Sequence, residues 1–287
     1  MRSSRNYTAS RLRKRIMRVL TYAVLCLLAF IVLFPLLWLV SSALKSPDQQ
    51  YEWPPQFIPW PVYLNNFTRL FEVMPIGNYI FNSTLIATGS VIGMVISSSL
   101  GAYAFARMRF RGRDLVFGLL VGSLMVPNAV ILVPQYVLVQ RLGWLSTYQG
   151  LIVPEAAMTF AFGVFLLRQF FLTIPSELED AARIDGADPW QIFTRIVLPL
   201  SQPVLGALAI FAFRSAWNDF LWLLIAVNKP DMFPLPVALT LLRGAYASES
   251  YGPIMAGAVL SALPLLIVFL VANRRIVEGV RVSALKG

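Results

Sequence analysis

The chain has 287 residues, of which 57% are hydrophobic and only 13% are charged. Soluble globular domains carry roughly 25% charged residues, so this composition excludes an ordinary soluble fold. The net charge is +10, an excess that is also found in nucleic-acid-binding proteins. A single cysteine and the absence of histidine exclude an intrachain disulfide and remove the most frequent general base and metal ligand.

Apolar segments long enough to cross a hydrocarbon core occur six times, since a membrane helix needs about 20 residues. They cover residues 19–44, 79–106, 115–139, 151–167, 203–227 and 254–272. The first is too long for the apolar part of a cleavable signal peptide, so we expect it to be retained. Pro127 and Pro134 in the third span and Pro264 in the sixth can kink their helices. The sequence therefore predicts an all-α membrane protein with six transmembrane helices, in which a basic tail (1–18) precedes a single transmembrane domain (19–287).

Most of the 24 basic residues lie in segments that six spans place on one side of the membrane. These segments are the N-terminal tail, the loop after the second span and the C-terminal end, with Arg2, Arg5, Arg11, Arg13, Lys14, Arg15, Arg18, Arg107, Arg109, Arg111, Arg113, Arg274, Arg275, Arg281 and Lys286. Cytoplasmic flanks of spans are rich in Lys and Arg, so both termini are predicted to be cytoplasmic. The same distribution predicts contact with membrane lipid and none with nucleic acid.

The loop between the fourth and fifth spans, residues 168–202, departs from this pattern because its acidic residues outnumber its basic ones. Ser176 and Glu179 have the spacing of a capping box, which predicts that a short helix begins there. Gly186 is suited to end that helix, because glycine readily adopts the left-handed conformation. An acidic, patterned loop of this kind is typical of a segment that meets another protein.

A second helix is predicted to follow within the same loop. Asp188 and Gln191 form another capping box, with a proline between them at the first helical position, and the helix runs toward Pro199. Ala181 and Ala182 have small side chains, and a helix that packs closely in the groove of a partner protein needs such a stretch. On these local signals alone, a solvated hairpin that merely joins two spans is an equal alternative.

The loop also carries a long gapped pattern: Asp180-Ala181-Ala182, three residues, Gly186, nine residues, and then residues 196–199. The pattern resembles the E-A-A-x3-G-x9-I-x-L-P signature of ABC-importer permeases, with aspartate where glutamate is usual. The resemblance extends over nearly the whole chain to the carbohydrate-uptake permeases of maltose and glycerol-3-phosphate importers. Its further stretches are Asn82-Ser83, residues 102–107, 110–113 and 165–171, Trp217 to Trp222, and Lys286-Gly287.

The resemblance implies a type I ABC importer permease fold, with a cytoplasmic coupling helix in the loop between helices 4 and 5 that docks on an ATPase. The coupling residues it implies are Glu179, Asp180, Ala181, Ala182, Asp185, Gly186, Ala187, Ile196, Leu198 and Pro199. It further implies a heterodimer with a second permease subunit, a dimer of ATP-binding subunits, an extracytoplasmic solute-binding protein and the inner membrane of a prokaryote. The chain has no G-x-x-x-x-G-K-[ST] phosphate loop, so we expect no catalytic residue, metal or cofactor of its own, with ATP used by the partner.

Polar residues within the predicted spans are candidates for a substrate pathway, because hydrocarbon makes them costly unless they face a cavity or a partner. Arg214 and Asn218 are four residues apart and share a helix face, whereas Asp219 is at a poorer pairing distance from Arg214. Trp217 can stack on a sugar ring or anchor at the interface, and Asn82 is a further candidate. Structural pairing is an equal alternative for the fifth-span group. Weaker candidates of the same kind are Asn128, Gln135 and Glu155.

Two other classes of function compete with an ATP-driven importer. An ion-driven secondary transporter needs intramembrane carboxylates or histidines, and only Glu155 and Asp219 qualify, in a chain with few spans. A membrane enzyme needs a catalytic histidine, a metal cluster or a G-x-S-x-G motif, and the sequence has none of these. The predicted function is therefore that of a permease subunit in an importer of a sugar or related carbohydrate.

Overall fold

The structure, a computed structural model, describes the backbone of residues 2–246 and 251–284 and the side-chain surroundings of residues 14–242 and 251–271. Its helices are α1 (Arg2–Ala43), α2 (Pro47–Tyr51), α3 (Asn65–Val73), α4 (Ile76–Arg107), α5 (Arg113–Ser123), α6 (Asn128–Arg141), α7 (Tyr148–Phe171), α8 (Ser176–Ile184), α9 (Pro189–Ile192), α10 (Leu198–Leu200), α11 (Gln202–Asn218), α12 (Leu221–Ala226), α13 (Leu235–Tyr246) and α14 (Gly252–Ala284). A π-helix (Phe193–Val197) joins α9 to α10, and a 3₁₀ turn (Pro230–Met232) lies between α12 and α13. The described residues contain no β-strand, which confirms the all-α prediction. Lys286 and Gly287 lie outside the described residues.

Four helices in the described part of the chain are long and apolar enough to cross a membrane alone: residues 14–43, 76–107, 148–171 and 252–271. If each of two bent pairs of helices is one span, the number is six, which agrees with the prediction. In one pair α5 and α6 meet at 102°, and in the other the α9–α10 segment meets α11 at 77°. The helices extend beyond the apolar segments, since α1 begins at Arg2 and α14 continues to Ala284.

The predicted third span is interrupted between α5 and α6. Pro127 precedes α6 with an extended backbone, at φ −63° and ψ 137°. A proline donates no hydrogen bond and its ring disfavours the helical conformation of the residue before it, here Val126. The expected kink at Pro127 is therefore a complete break between two helices.

The predicted fifth span is interrupted as well, after Asn218. Asp219 leaves the helical conformation with ψ at 119°, and its carboxylate accepts the backbone N–H of Trp222 at 3.3 Å. A side-chain acceptor at this spacing satisfies an N–H that would otherwise be unpaired at the start of a helix. Asp219 thus ends α11, and its carboxylate satisfies one N–H in the first turn of α12.

The described chain divides into two compact units, Met1–Val73 with Ala245–Val259 and Met74–Gly244 with Leu260–Gly287. In the first, Asn66 on α3 donates hydrogen bonds to the carbonyl oxygens of Ala43 and Lys45, at 2.9 and 2.8 Å. These bonds tie α3 to the end of α1.

In the second unit α4 and α7 pack closely along their length. A Cβ at Gly89 would lie 2.8 Å from the Cδ1 atom of Ile152, so only glycine permits this approach without a shift of the neighbour. The hydroxyls of Ser90 and Ser98 donate to the carbonyl oxygens of Ile152 and Phe160, at 3.3 and 3.4 Å. Small residues and interhelical hydrogen bonds hold membrane helices together where water is absent.

One buried cluster of this unit joins α4, α7, α11 and the segment between α7 and α11. It contains Met94, Tyr103, Val164, Leu167, Phe171, Ile192, Phe193, Val197 and Leu208. The short helices that follow α7 therefore pack against the ends of the long helices.

Candidate functional site

α8 begins at Ser176, as predicted, but the predicted capping box is wrong. Pro175 is the N-cap of the helix, and no side chain makes a capping hydrogen bond there. Glu179, which would complete the box, is 2% exposed, and its Oε1 atom lies 2.8 Å from the Nε atom of Arg107. A charged guanidinium holds a carboxylate more strongly than a helix N–H does, so Glu179 turns toward the half-buried Arg107.

α8 ends at a left-handed glycine, as predicted. Gly186 has φ at +85°. Its N–H donates to the carbonyl of Arg183 at 3.1 Å, and the N–H of Ala187 donates to the carbonyl of Ala182 at 2.9 Å. These two bonds form a Schellman motif, which satisfies the last carbonyls of the helix.

α9 begins with the second capping box, which is confirmed. The Asp188 carboxylate accepts the N–H of Gln191 at 2.9 Å, and the Gln191 side chain accepts the N–H of Asp188 at 3.2 Å. The helix continues toward Pro199 through the π-helix, where the N–H of Leu198 donates to the carbonyl of Phe193. A widened turn accommodates the proline that follows, because proline can neither donate nor tolerate the carbonyl four residues back.

α8 presents an apolar stripe to its surroundings. Leu178, Ala181 and Ile184 follow one another at three-residue spacing and are exposed, and Ile184 leaves 87% of its surface uncovered. Exposed apolar stripes on a short helix are typical of a surface that binds a protein. Among the sequence-predicted coupling residues, Asp180, Ala181, Asp185, Gly186 and Pro199 are exposed, Ala182, Ala187, Ile196 and Leu198 are half-buried, and Glu179 is buried.

Arg107 is a residue of this site that the sequence alone assigned only to a basic flank. It is the last residue of α4, and its Nη2 atom donates to the carbonyl oxygens of Phe171 and Ile174, at 2.7 and 2.6 Å. The side chain therefore joins the end of α4 to the end of α7 and to α8. Its place at the final position of an apolar span is the signal that could have singled it out.

A polar cavity of about 520 Å³ lies between α6, α7, α11 and α12. The structure brings together there three of the stronger pathway candidates, Arg214, Asn218 and Asp219, and also Asn128, Gln135 and Glu155. Its polar lining consists of Asn128, Gln135, Glu155, Thr159, Arg214, Ser215, Asn218 and Asp219. Thr159 and Ser215 were missed by sequence reasoning, because single hydroxyl residues are common in membrane helices.

Two carboxyl groups meet at the wall of this cavity. Glu155 is 7% exposed, and its Oε1 atom accepts the Ser215 hydroxyl at 3.1 Å. The Asp219 carboxyl lines the same cavity, close to Glu155. The Asn218 amide donates to the carbonyl of Arg214 at 2.9 Å, which confirms that these two residues share a face. Amides, hydroxyls and carboxyls arranged around a cavity suit the binding of a hydroxyl-rich solute.

Asn82 and Trp217 lie outside the cavity. Asn82 is buried, and its amide donates to the carbonyl oxygens of Asp231 and Phe233, at 2.9 and 3.1 Å. The Trp217 indole N–H donates to the carbonyl of Ser261 at 3.0 Å, and its ring is buried. Both side chains hold segments of the second unit together.

Residues 89–282 match the family described as the binding-protein-dependent transport system inner membrane component. The chain belongs to this family. The matched stretch of the permease contains α8, the Arg107 partner of Glu179 and every residue that lines the polar cavity.

Curated relatives resemble the permease over most of their length. The arabinooligosaccharides transport system permease protein AraQ of Halalkalibacterium halodurans is 35% identical over 263 residues, which are 91% of this chain and 93% of the relative. The trehalose/maltose transport system permease protein MalG of Thermococcus litoralis is 32% identical over 272 residues, 94% of this chain and 97% of the relative. A probable ABC transporter permease protein of Bacillus subtilis, YurM, is 34% identical over 258 residues, 89% and 84% of the two chains.

Solved structures share the fold of the permease. A bacterial ABC transporter that imports the acidic polysaccharide alginate contains a chain with a TM-score of 0.79 at 24% identity, covering 91% of this chain and 96% of that one. The alginate transporter in complex with its pentasaccharide-bound periplasmic protein contains a chain with a TM-score of 0.67 at 18% identity, covering 92% and 96%. The predicted type I ABC importer permease fold is confirmed by these matches.

Proposed function

We propose that this permease is one of two translocation subunits of an ATP-driven importer for a sugar or related carbohydrate. Two of its relatives are named as transport permeases for arabinooligosaccharides and for trehalose/maltose. The observation that carries the proposal is α8, a short helix with an exposed apolar stripe that is fixed to the ends of α4 and α7. A helix with these two properties can pass a push from a bound protein to the membrane helices.

In this proposal α8 is the coupling helix, and it docks in a cleft of a cytoplasmic ATP-binding subunit. Leu178, Ala181 and Ile184 supply the apolar contact, and Asp180 at its side adds negative charge. Closure of the ATPase pair then moves α4 and α7 and switches the pathway between its inward-facing and outward-facing states. The permease itself binds no nucleotide and catalyses no reaction.

The polar cavity is the part of the pathway that this subunit contributes. Arg214, Asn218 and Asp219 line it, and Gln135 and Glu155 add hydrogen-bonding groups from two other helices. Sugar hydroxyls donate and accept hydrogen bonds, so a ring of amides and carboxyls can replace part of their hydration. Polar side chains are costly at membrane depth unless they face a cavity or a partner, and here they face a cavity between membrane helices.

The remaining partners follow from the same proposal. A second, different permease subunit completes the pathway, two ATP-binding subunits supply the energy, and a solute-binding protein outside the inner membrane delivers the sugar. Both chain termini face the cytoplasm, which the distribution of Lys and Arg supports.

Purification of the tagged permease after co-expression with its neighbouring genes tests the proposal. We expect an ATP-binding subunit to co-purify, ATP hydrolysis to rise with the loaded binding protein, and uptake into proteoliposomes to stop without ATP. Uptake that continues without ATP and follows an ion gradient would contradict the proposal and favour a secondary transporter.

A further inference from the structure

Arg107 makes three contacts that together join three segments of the second unit. Its Nη2 atom donates to the carbonyl oxygens of Phe171, the last residue of α7, and of Ile174 in the turn that follows. Its Nε atom forms an ion pair at 2.8 Å with Glu179 of α8. Carbonyls at a helix C-terminus lack intrahelical partners and attract cations, so the guanidinium sits where both backbone and carboxylate favour it.

Glu179 is the residue through which α8 is attached. It is the buried residue among the nine of α8, and its other oxygen lies 3.2 Å from the Nη2 atom of Arg183 on the same helix. A carboxylate is costly to bury unless cations and hydrogen-bond donors compensate it. The remainder of α8 is exposed, apart from the half-buried Ala182.

Arg168 provides an internal comparison, because this residue of α7 also binds a backbone carbonyl of α4. Its Nε atom donates to the carbonyl of Phe105 near the end of α4, at 3.3 Å. Its guanidinium lies 4.2 Å from the centroid of the Phe117 ring. Within the described residues Arg168 makes no hydrogen bond or ion pair with α8, so its polar contacts strengthen the α4–α7 pair and do not hold α8.

We propose that Arg107 and Glu179 form a latch that makes α8 a rigid extension of the α4–α7 pair. The latch consists of the Arg107–Glu179 ion pair and the two hydrogen bonds of Arg107 to the carbonyls after α7. Both are positioning residues: they touch neither ATP nor sugar, and they fix the angle at which α8 leaves the membrane helices. The role of the latch in coupling rests on the proposed function, whereas its mechanical role does not.

Pulsed electron paramagnetic resonance measures this rigidity directly. The exposed native Cys26 is changed to Ser, and nitroxide labels are attached at Phe81→Cys on α4 and Glu177→Cys on α8. Phe81 lies roughly 40 Å along α4 from Arg107, so pivoting of α8 changes the distance between the labels. The measurement uses the full-length permease purified with its co-expressed partners.

We expect Arg107→Met to broaden the distribution of distances between the two labels, while Arg168→Met leaves it as narrow as in the parent. Glu179→Gln keeps the volume of the side chain and removes its charge, so it is expected to broaden the distribution as well. If Arg107→Met does not assemble, the distribution of label distances in Glu179→Gln tests the latch by itself. An unchanged distribution in Glu179→Gln, or equal broadening in Arg168→Met, would overturn the latch.

ATP hydrolysis by the same assembled samples tests the consequence for coupling. Arg107→Met is expected to lose several-fold of its stimulation by the loaded binding protein, with unstimulated hydrolysis retained, and Arg168→Met is expected to keep that stimulation. A similar loss in both variants would contradict a specific role of the latch. The distance measurement needs neither ATP nor sugar, so an unchanged distance distribution contradicts the latch but not the proposed function. Absence of an ATP-binding partner contradicts the proposed function but not the latch.

Discussion

Gly186 determines where α8 ends and how the chain turns into α9. Its φ of +85° lies in the region that side chains with a Cβ rarely adopt. A left-handed conformation costs a bulky residue roughly 1–2 kcal/mol, so Gly186→Trp is expected to distort the end of α8 and leave membrane insertion intact. We predict that this variant loses the stimulation of ATP hydrolysis by the loaded binding protein.

Gly186→Asn is the matched control, because asparagine tolerates the left-handed conformation better than other residues with a Cβ. It is expected to retain most of the stimulation. Normal stimulation and uptake in Gly186→Trp would count against the docking role of α8.

The polar cavity makes a second prediction about single side chains. Gln135 lines the cavity, whereas Gln140 on the same helix is exposed outside it. Loss of one hydrogen bond to the solute costs about 0.5–1.5 kcal/mol, so Gln135→Ala and Asn218→Ala are expected to raise the half-saturating solute concentration by up to about tenfold. Uptake kinetics in proteoliposomes measure this half-saturating concentration, with Gln140→Ala as the control. Unchanged kinetics in both cavity variants would contradict the pathway role.

Glu179 shows what a local pattern can and cannot predict. Its spacing from Ser176 predicted a capping box, and the helix does begin where the box placed it. The carboxylate nevertheless binds Arg107, a residue far away in the chain. Asp188 with Gln191 has the same kind of spacing and does form its box, and among the described residues Asp188 has no ion pair with a cation. Short-range patterns therefore predicted the ends of α8 and α9, but not the long-range ion pair.

The α4–α7 pair is the element on which α8 rests, and its packing depends on small residues. Gly163 on α7 faces Ser98 and Met94 of α4, and a Cβ there would collide with the Ser98 side chain. Overpacking of a tight interface costs typically 1–3 kcal/mol, so Gly163→Leu is expected to lower the apparent melting temperature of the purified permease. Gly118→Leu on α5 is the control, since a Cβ at Gly118 meets open space, and an equal loss in both variants would contradict this account.

The breaks in the helices differ in how well the sequence predicts them. Pro127 was expected to kink the third span, and α5 and α6 do separate there. Asp219 was singled out as a polar pathway residue, but its hydrogen bond to an N–H in the first turn of α12 was not predicted. The spacing of Gly89 and Gly93 on α4 is a readable sign of close helix packing, and Gly89 does lie against α7.

For the chain as a whole, composition and one gapped pattern are the best predictors of fold class and family. Apolar segments gave the number of spans, and the pattern from Asp180 to Pro199 indicated the family to which the chain belongs. The polar cavity required the structure, because its lining comes from four helices that are separated in sequence.

The docking of an ATP-binding subunit on α8 is tested most directly by thiol cross-linking from Ile184→Cys, with Cys26 changed to Ser. Ile184 is 87% exposed at the end of α8. We predict that the assembled importer yields a cross-link between this position and the ATP-binding subunit, and that a membrane-impermeant thiol reagent does not reach it in intact cells. Labelling from outside the cell, or no cross-link to any ATP-hydrolysing protein, would contradict the account.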